Sequence, residues 1–253
     1  KFYKDKFNKC VLFPLALMVF AFGIGVIVQK DLGSSLILAA ICFICFMSTP
    51  RDYYKKYKKL VWIALAVAVI ILGFLITAVL QGYQLQRIDS WLKPLKIENI
   101  YDSSWQLVNS LIAFTDGGIF GLGLGNSIQK YDYIPEAHND FIGAIIYEEL
   151  GIFGLVLMII PTAIIIFRLL KYADQIQNNK SRVILIGIAS YFMLHLFVNL
   201  GGVSGLIPMT GVPLLLVSSG GSSTIAALIA IGIAQAIISK FNKEQLEKTD
   251  TQL

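Results

Sequence analysis

The chain has 253 residues, of which 56% are hydrophobic, and its mean hydropathy is +0.71. This composition excludes an ordinary soluble domain and is typical of a membrane protein. The net charge of +5 comes from 21 Lys and Arg against 16 Asp and Glu. The basic residues follow a membrane-topology pattern, described below, so we exclude nucleic acid as a partner.

Six mainly apolar stretches are long enough to cross a bilayer, which takes roughly 20 helical residues. They are residues 11–29, 32–48, 60–80, 141–167, 183–200 and 221–239. Backbone N–H and C=O groups in lipid must be satisfied within the segment, so we expect helices. The sequence therefore predicts an all-α polytopic membrane protein with a single membrane domain over residues 1–253. A long extracellular loop, 81–140, is expected between spans 3 and 4, and a re-entrant segment between spans 5 and 6.

The Lys and Arg residues lie mostly on one side of these spans. With the start of the chain in the cytoplasm, the inner segments are residues 1–10, 49–59, 168–182 and 240–253, and they hold 16 of the 21 basic residues. An excess of Lys and Arg is typical of cytoplasmic loops. The pattern predicts a multi-pass membrane protein with both ends of this chain in the cytoplasm, and the resemblance given below implies the bacterial cytoplasmic membrane.

The turn between the first two spans is short and polar, Lys30-Asp31-Leu32-Gly33-Ser34. Asp31 and Ser34 can cap the returning helix, because their side-chain oxygens can accept hydrogen bonds from its free N–H groups. A functional role at the outer face is the alternative, and the residues alone leave both open.

Two short helices are predicted inside the outer loop. The first covers residues 87–91 and is stopped by Pro94, and the second covers residues 104–114. Three glycines follow at alternate positions: Gly121, Gly123 and Gly125. Because no strand precedes them, they indicate turns or close backbone approach rather than a dinucleotide site.

Ionisable side chains concentrate at the end of the outer loop: Lys130, Asp132, Glu136, His138 and Asp140. If the protein is an enzyme, we expect its chemistry here. Asp140 immediately precedes span 4, and its position fits an N-cap of that helix as well as a functional carboxylate. Glu148 and Glu149 lie about two turns into the span, where charged groups are normally paired or face an interior cavity.

Span 5 carries His195 and Asn199, and a histidine there is either an interhelical hydrogen-bonding group or a catalyst. The following segment, up to residue 223, is uncharged but rich in Gly, Pro and Ser. Non-helical backbone at membrane depth is tolerated only where protein or a water-filled cavity covers it, so we expect this segment to line the outer cavity. Residues 218–223 bring hydroxyls and free N–H groups to the start of the last helix, an arrangement that favours anions.

Four ordered motifs resemble the SEDS family (shape, elongation, division and sporulation). They are the turn 30–34; the pair Gly121-Leu-Gly-Leu-Gly-Asn-Ser-Ile-Gln-Lys130 and Pro135-Glu-Ala-His-Asn-Asp-Phe141; Glu148-Glu-Leu-Gly151; and the stretch from Gly202 to Ser223. The Gly-Asn-Ser-Ile-Gln-Lys run leans towards the FtsW branch. Departures from the family pattern occur at Lys30, Asn139, Leu215 and Ser219. Family members have ten spans, so we expect this chain to match the last six.

The resemblance implies an inverting peptidoglycan glycosyltransferase that polymerises lipid II during cell division. It makes Asp140 the general base for the attacking 4-hydroxyl, with undecaprenyl diphosphate as the leaving group. The expected substrate contacts are Lys130, Glu136, Arg87, Ser218, Ser222 and Ser223. A divalent cation, Mg or Mn, is expected at the diphosphate, with Glu136 as a candidate ligand.

The resemblance also implies partners and a location. A class B penicillin-binding protein, which is a transpeptidase, and other division or elongation proteins are expected at the division septum. Two alternatives stay open. A lipid II flippase fits the broken helices and the intramembrane Glu pair, and a non-catalytic division scaffold fits the partners.

Overall fold

The structure is a computed structural model that describes residues 20–25, 31–49, 83–96, 100, 104–131, 133–135 and 137–250. Beyond a short helical stretch at residues 20–25, the helices are α1 (Leu32–Ser48), α2 (Tyr83–Leu92), α3 (Trp105–Gly117), α4 (Ile142–Gln175), α5 (Asn179–Val203) and α6 (Gly221–Asp250). These residues include no β-strand. The all-α prediction is therefore confirmed for the part of the chain described.

Three described helices, α4, α5 and α6, are long and apolar enough to cross a membrane, and α1 is a shorter apolar helix. They coincide with four of the six predicted spans and confirm a polytopic α-helical membrane protein. Predicted span 60–80, and span 11–29 apart from residues 20–25, lie outside the described residues. The six-span count and the single domain therefore stay predictions.

Helix α5 is the centre of the packing, because α1, α3, α4 and α6 all contact it. Where α4 ends and α5 begins, a buried apolar core joins them to α6; its members include Leu169, Ala173, Leu185, Ala189, Phe192 and Ala227. Small residues let the helices approach closely, which matters in lipid, where van der Waals packing replaces the hydrophobic effect. A Cβ added at Gly187 of α5 would lie only 2.9 Å from Cys45 Sγ of α1.

Helix α4 is broken at Gly151, which has φ 61° and ψ −142°. The outer loop docks into this break. The N–H groups of Leu122 and Gly123 donate to the carbonyls of Glu148 and Glu149, each at 2.9 Å, and Ile152 N donates to Ile119 O at 3.0 Å. Of the three glycines predicted to mark turns or close approach, Gly121 lies at a close approach, because a Cβ there would collide with the Glu149 carbonyl, and all three have positive φ. The loop is thus fixed to the membrane helix by backbone hydrogen bonds.

The two predicted loop helices form and pack over the end of α5. Trp91 of α2 donates its indole N–H to Gly205 O at 2.8 Å, and Ser110 of α3 donates to Val203 O at 2.6 Å. A second buried apolar cluster lies beneath them: Ala113, Ile134, Phe141, Ala144, Ile145 and Val203. This cluster supports the start of α4, where Asp140 lies.

Candidate active site

Asp140 lies two residues before α4. The N-cap of α4 is Phe141, which makes no side-chain capping bond, so the structure does not give the N-cap position to Asp140. The carboxylate faces Gly211 in the segment after α5, and a Cβ on that glycine would lie 3.3 Å from Asp140 Oδ2. The half-buried Asp140 therefore sits between the end of the outer loop and the segment 204–220.

An amide from α5 joins these two segments. Asn199 Nδ2 donates to the main-chain carbonyls of Asp140 and Val212, both at 2.8 Å. Its side chain is 3% exposed. No role was predicted for Asn199 from the sequence. The signal that could have indicated one is a strongly polar side chain within an apolar span, beside the polar segment that follows.

The segment 218–219 contacts the end of the outer loop directly. Ser218 Oγ donates to Asn139 O at 2.8 Å and accepts from Leu214 N at 2.8 Å. Ser219 N donates to His138 O at 3.2 Å, and its hydroxyl bonds to Asn139 Oδ1 at 2.5 Å. Residues 138–140 are therefore held by Asn199 and by the Ser218–Ser219 pair, and Gly211 lies beside the Asp140 carboxylate.

The other two candidate serines lie at the start of α6. Ser222 is exposed, and Ser223 Oγ donates to Gly220 O at 2.8 Å. Of the three serines predicted to contact substrate, Ser218 is buried and uses its hydroxyl within the protein, whereas Ser222 faces outward.

Lys130 is bound to the broken helix. Its Nζ lies 2.8 Å from Glu149 Oε1 and donates to Gly125 O at 2.5 Å. The hydrogen bond that Lys130 donates to the Glu149 carboxylate raises the pKa of Lys130, outweighing the opposite effect of desolvation. The lysine is therefore a cation throughout the physiological pH range.

Glu148 is fully buried beside this pair. Its carboxylate accepts from Ser127 Oγ at 2.5 Å, from Ile128 N at 2.9 Å and from Gln129 N at 3.4 Å. A buried carboxylate that accepts several hydrogen bonds is a structural anchor. It fixes the turn 127–129, which continues into Lys130.

The turn at the start of α1 reaches the same region. Asp31 is the N-cap of α1, since its Oδ1 accepts from Ser34 N at 3.0 Å, as the capping interpretation expects. A Cβ on Gly33 would lie 2.8 Å from Thr210 O and 3.3 Å from Val212 Cγ2. This turn therefore packs on the segment whose other contacts hold Asp140.

Three predicted site features lie partly or wholly outside the described residues. Glu136 and the neighbouring Asp132 are not described, and of Arg87 only the helical backbone is, within α2. Within the described ranges, no group of three His, Cys, Asp or Glu side chains could hold a metal ion. The described residues therefore do not form a metal site by themselves, and the divalent cation expected from the resemblance stays a prediction.

The structure is that of a polytopic α-helical membrane protein. Its candidate site, around residues 138–140, Asn199 and the segment 204–220, is built mainly from the connections between its helices. The family model described as a cell cycle protein, which joins FtsW, RodA and SpoVE, matches residues 3–244. The chain belongs to that family.

Its relatives include the "Probable peptidoglycan glycosyltransferase FtsW" of Bacillus subtilis, 37% identical over 95% of this chain and 59% of the relative. The protein of the same name from Coxiella burnetii is 34% identical over 89% of this chain. The "Stage V sporulation protein E" of B. subtilis is 33% identical over 87%. The chain spans 59% of the first two relatives and 58% of the third.

A solved structure shares the fold, with a TM-score of 0.66 and 24% sequence identity. The match covers 87% of this chain and 59% of the solved one, whose title is "Structural coordination of polymerization and crosslinking by a peptidoglycan synthase complex".

Proposed function

We propose that the protein is a peptidoglycan glycosyltransferase that polymerises lipid II during cell division, with Asp140 as general base. The names of the relatives support this activity. The observation that carries the choice of Asp140 is its position, with a main chain anchored to α5 and a carboxylate directed at the segment 204–220.

The proposed reaction is a one-step displacement. The 4-hydroxyl of a sugar on one lipid II molecule attacks the anomeric carbon of a second lipid II molecule, and the proton of this hydroxyl passes to the Asp140 carboxylate. The anomeric C–O bond breaks as the new glycosidic bond forms, and undecaprenyl diphosphate leaves with the electron pair. Attack opposite the leaving group inverts the configuration.

The leaving diphosphate requires positive charge or hydrogen-bond donors. We assign this role to Lys130, Arg87, Ser222 and Ser223, with Ser218 and Glu136 shaping the sugar site. Lys130 would serve while paired with Glu149 or after exchanging that partner for a phosphate. A divalent cation at the diphosphate is part of the proposal, and activity measured with and without EDTA tests it.

The same proposal includes location and partners. The protein would reside in the cytoplasmic membrane at the septum, with both ends of this chain in the cytoplasm. It would act with a class B penicillin-binding protein and with other division or elongation proteins. The solved structure of similar fold belongs, by its title, to a peptidoglycan synthase complex, which favours such a pairing.

Replacement of one carboxylate tests the enzyme. In the full-length protein, Asp140→Asn is expected to lower lipid II polymerisation by at least about 100-fold, because general-base catalysis contributes roughly that much. Lipid II binding should be retained. Asp116→Asn is the matched control, since Asp116 is an exposed carboxylate at the end of α3 in the same loop. Polymerisation that persists in Asp140→Asn at the level of this control would exclude Asp140 as the base.

A lipid II transporter is the second candidate, because α4 is interrupted at Gly151 and residues 204–220 are non-helical. It predicts that Asp140→Asn leaves lipid II translocation in proteoliposomes intact, and that wild-type protein forms no polymer.

A further inference from the structure

Asn199 is placed to control the main chain at Asp140. Its Nδ2 donates to the carbonyls of Asp140 and Val212, which lie 59 and 13 residues away along the chain. Both partners can only accept hydrogen bonds, so the amide must present its nitrogen to them. The orientation of the side chain is thus fixed by its neighbours.

The other end of the same amide is unsatisfied. Asn199 Oδ1 is buried and has no hydrogen-bond partner in the described part of the chain. It lies on the side of Gly143, 3.6 Å from the position of a Cβ on that glycine. A buried acceptor without a donor is unfavourable for stability. Locally unfavourable features of this kind concentrate at functional sites. The two hydrogen bonds that the same amide donates therefore call for a functional explanation.

The two carbonyls belong to the two segments that meet at the candidate site, the end of the outer loop and the segment 204–220. The Asp140 carbonyl belongs to the residue that carries the proposed base. The Val212 carbonyl belongs to a buried residue whose side chain packs near Gly33 of the first turn. Because Asn199 bonds to the main chain of Asp140, it can set the position of the carboxylate without changing its charge.

We propose that Asn199 is a positioning residue: its two hydrogen bonds lock the main chain at Asp140 to the Val212 segment and thereby hold the carboxylate where it can take the proton. This rests on the proposed function, in which Asp140 is the general base. Displacing a catalytic group by about 1 Å can cost 100-fold in rate while leaving binding unchanged. The proposal therefore predicts that loss of these hydrogen bonds lowers kcat and leaves KM unchanged.

The test uses the full-length protein and initial rates of lipid II polymerisation. Asn199→Leu removes both N–H donors while keeping a side chain of similar size. Asn199→Asp keeps the shape of the side chain but cannot donate to two carbonyls. Each is expected to lower kcat by about 10- to 100-fold with KM within about twofold of wild type. Either variant alone suffices if the other does not fold.

Asn109→Leu is the matched control. Asn109 is also buried, and its Nδ2 also bridges two carbonyls, those of Trp105 at 2.9 Å and Tyr133 at 3.3 Å. Neither carbonyl belongs to Asp140. The control should therefore lose thermal stability comparably to Asn199→Leu while keeping most of its kcat.

The outcomes separate the positioning proposal from the proposed function. If Asp140→Asn is inactive but a folded Asn199 variant keeps kcat within twofold, positioning by Asn199 is wrong and the base assignment survives. If Asp140→Asn remains active, the base assignment itself fails. An equal fall of kcat in Asn109→Leu would attribute the effect to general loosening and would overturn the proposal.

Discussion

At the scale of single residues, the site depends on a glycine that faces the carboxylate of Asp140. Gly211 has φ +70°, a conformation that side-chain-bearing residues rarely adopt. A Cβ there would also lie 3.3 Å from Asp140 Oδ2, closer than an ordinary van der Waals contact. The glycine thus serves both the backbone turn and the space beside the proposed base.

Gly211→Ala is expected to lower the polymerisation rate beyond what its loss of stability explains. The left-handed conformation costs roughly 1–2 kcal/mol for alanine, and the new methyl group displaces the carboxylate, so we expect a fall in rate of about 10-fold or more. Gly118→Ala is the control, because Gly118 has φ +52° but nothing within 4 Å of its Cβ position. Thermal melting of both variants and their rates measure the two effects separately. Equal activity in the two variants at equal stability would show that the contact with Asp140 does not matter.

The sequence identifies Asp140 as the candidate base but could not predict the residues that contact it. Asp140 stands in a motif that is recognisable within a few positions. Asn199 and Gly211 matter through partners that are distant in sequence, and nothing near either one indicates the contact. A polar side chain in an apolar span signals a hydrogen bond, but the partner is visible only in the fold.

At the scale of elements, α4 shows what hydropathy can and cannot predict. The span predicted at 141–167 begins one residue before α4, but the helix continues to Gln175. Hydropathy marks the part of a helix suited to lipid, and Arg168 and Lys171 continue the same helix beyond it. The break at Gly151 was not predicted, because it depends on backbone partners in the outer loop.

The adjacent Glu148 and Glu149 of α4 are expected to differ in their effect on the outer loop. Glu148→Gln replaces one of the two accepting oxygens by an NH2 group, which cannot accept from the main-chain N–H groups of the turn 127–129. It should lower the free energy of unfolding by about 2–3 kcal/mol, because Glu148 is fully buried. Glu149→Gln breaks the partly exposed pair with Lys130 but keeps an oxygen that can accept the 3.4 Å hydrogen bond from Ser127 N, so its effect should be smaller. Hydrogen exchange of residues 122–130 and thermal melting measure the difference. A larger effect for Glu149→Gln would contradict the anchor role given to Glu148.

At the scale of the whole molecule, the polar motifs meet although they are far apart in sequence. The turn at Asp31 packs on Thr210 and Val212, the end of the outer loop bonds to Ser218 and Ser219, and the loop itself docks into α4. The apolar helices supply the scaffold, since their shared core lies where α4 ends and α5 begins. The all-helical class followed from hydropathy alone, whereas the convergence of the motifs required the packing of these helices.

Docking of the outer loop into the break of α4 makes a prediction about the whole assembly. Gly151→Ala places a methyl group against Ile119 O and Gly121 N, so the loop must withdraw from the helix. We expect a loss of roughly 2–4 kcal/mol in stability, from strain at positive φ and from backbone hydrogen bonds that break. Protease accessibility of residues 119–130 should rise.

The matched control is Gly232→Ala in α6, which has nothing within 4 Å of its Cβ position and is not at positive φ. In the control, alanine should be neutral or slightly stabilising, because it favours helix by up to about 1 kcal/mol over glycine. If Gly151→Ala is as stable and as protease-resistant as this control, the loop does not depend on the break. The outer loop would then have to be held by its other contacts, which include those of the Glu148 side chain with the turn 127–129 and those of residues 138–139 with Ser218 and Ser219.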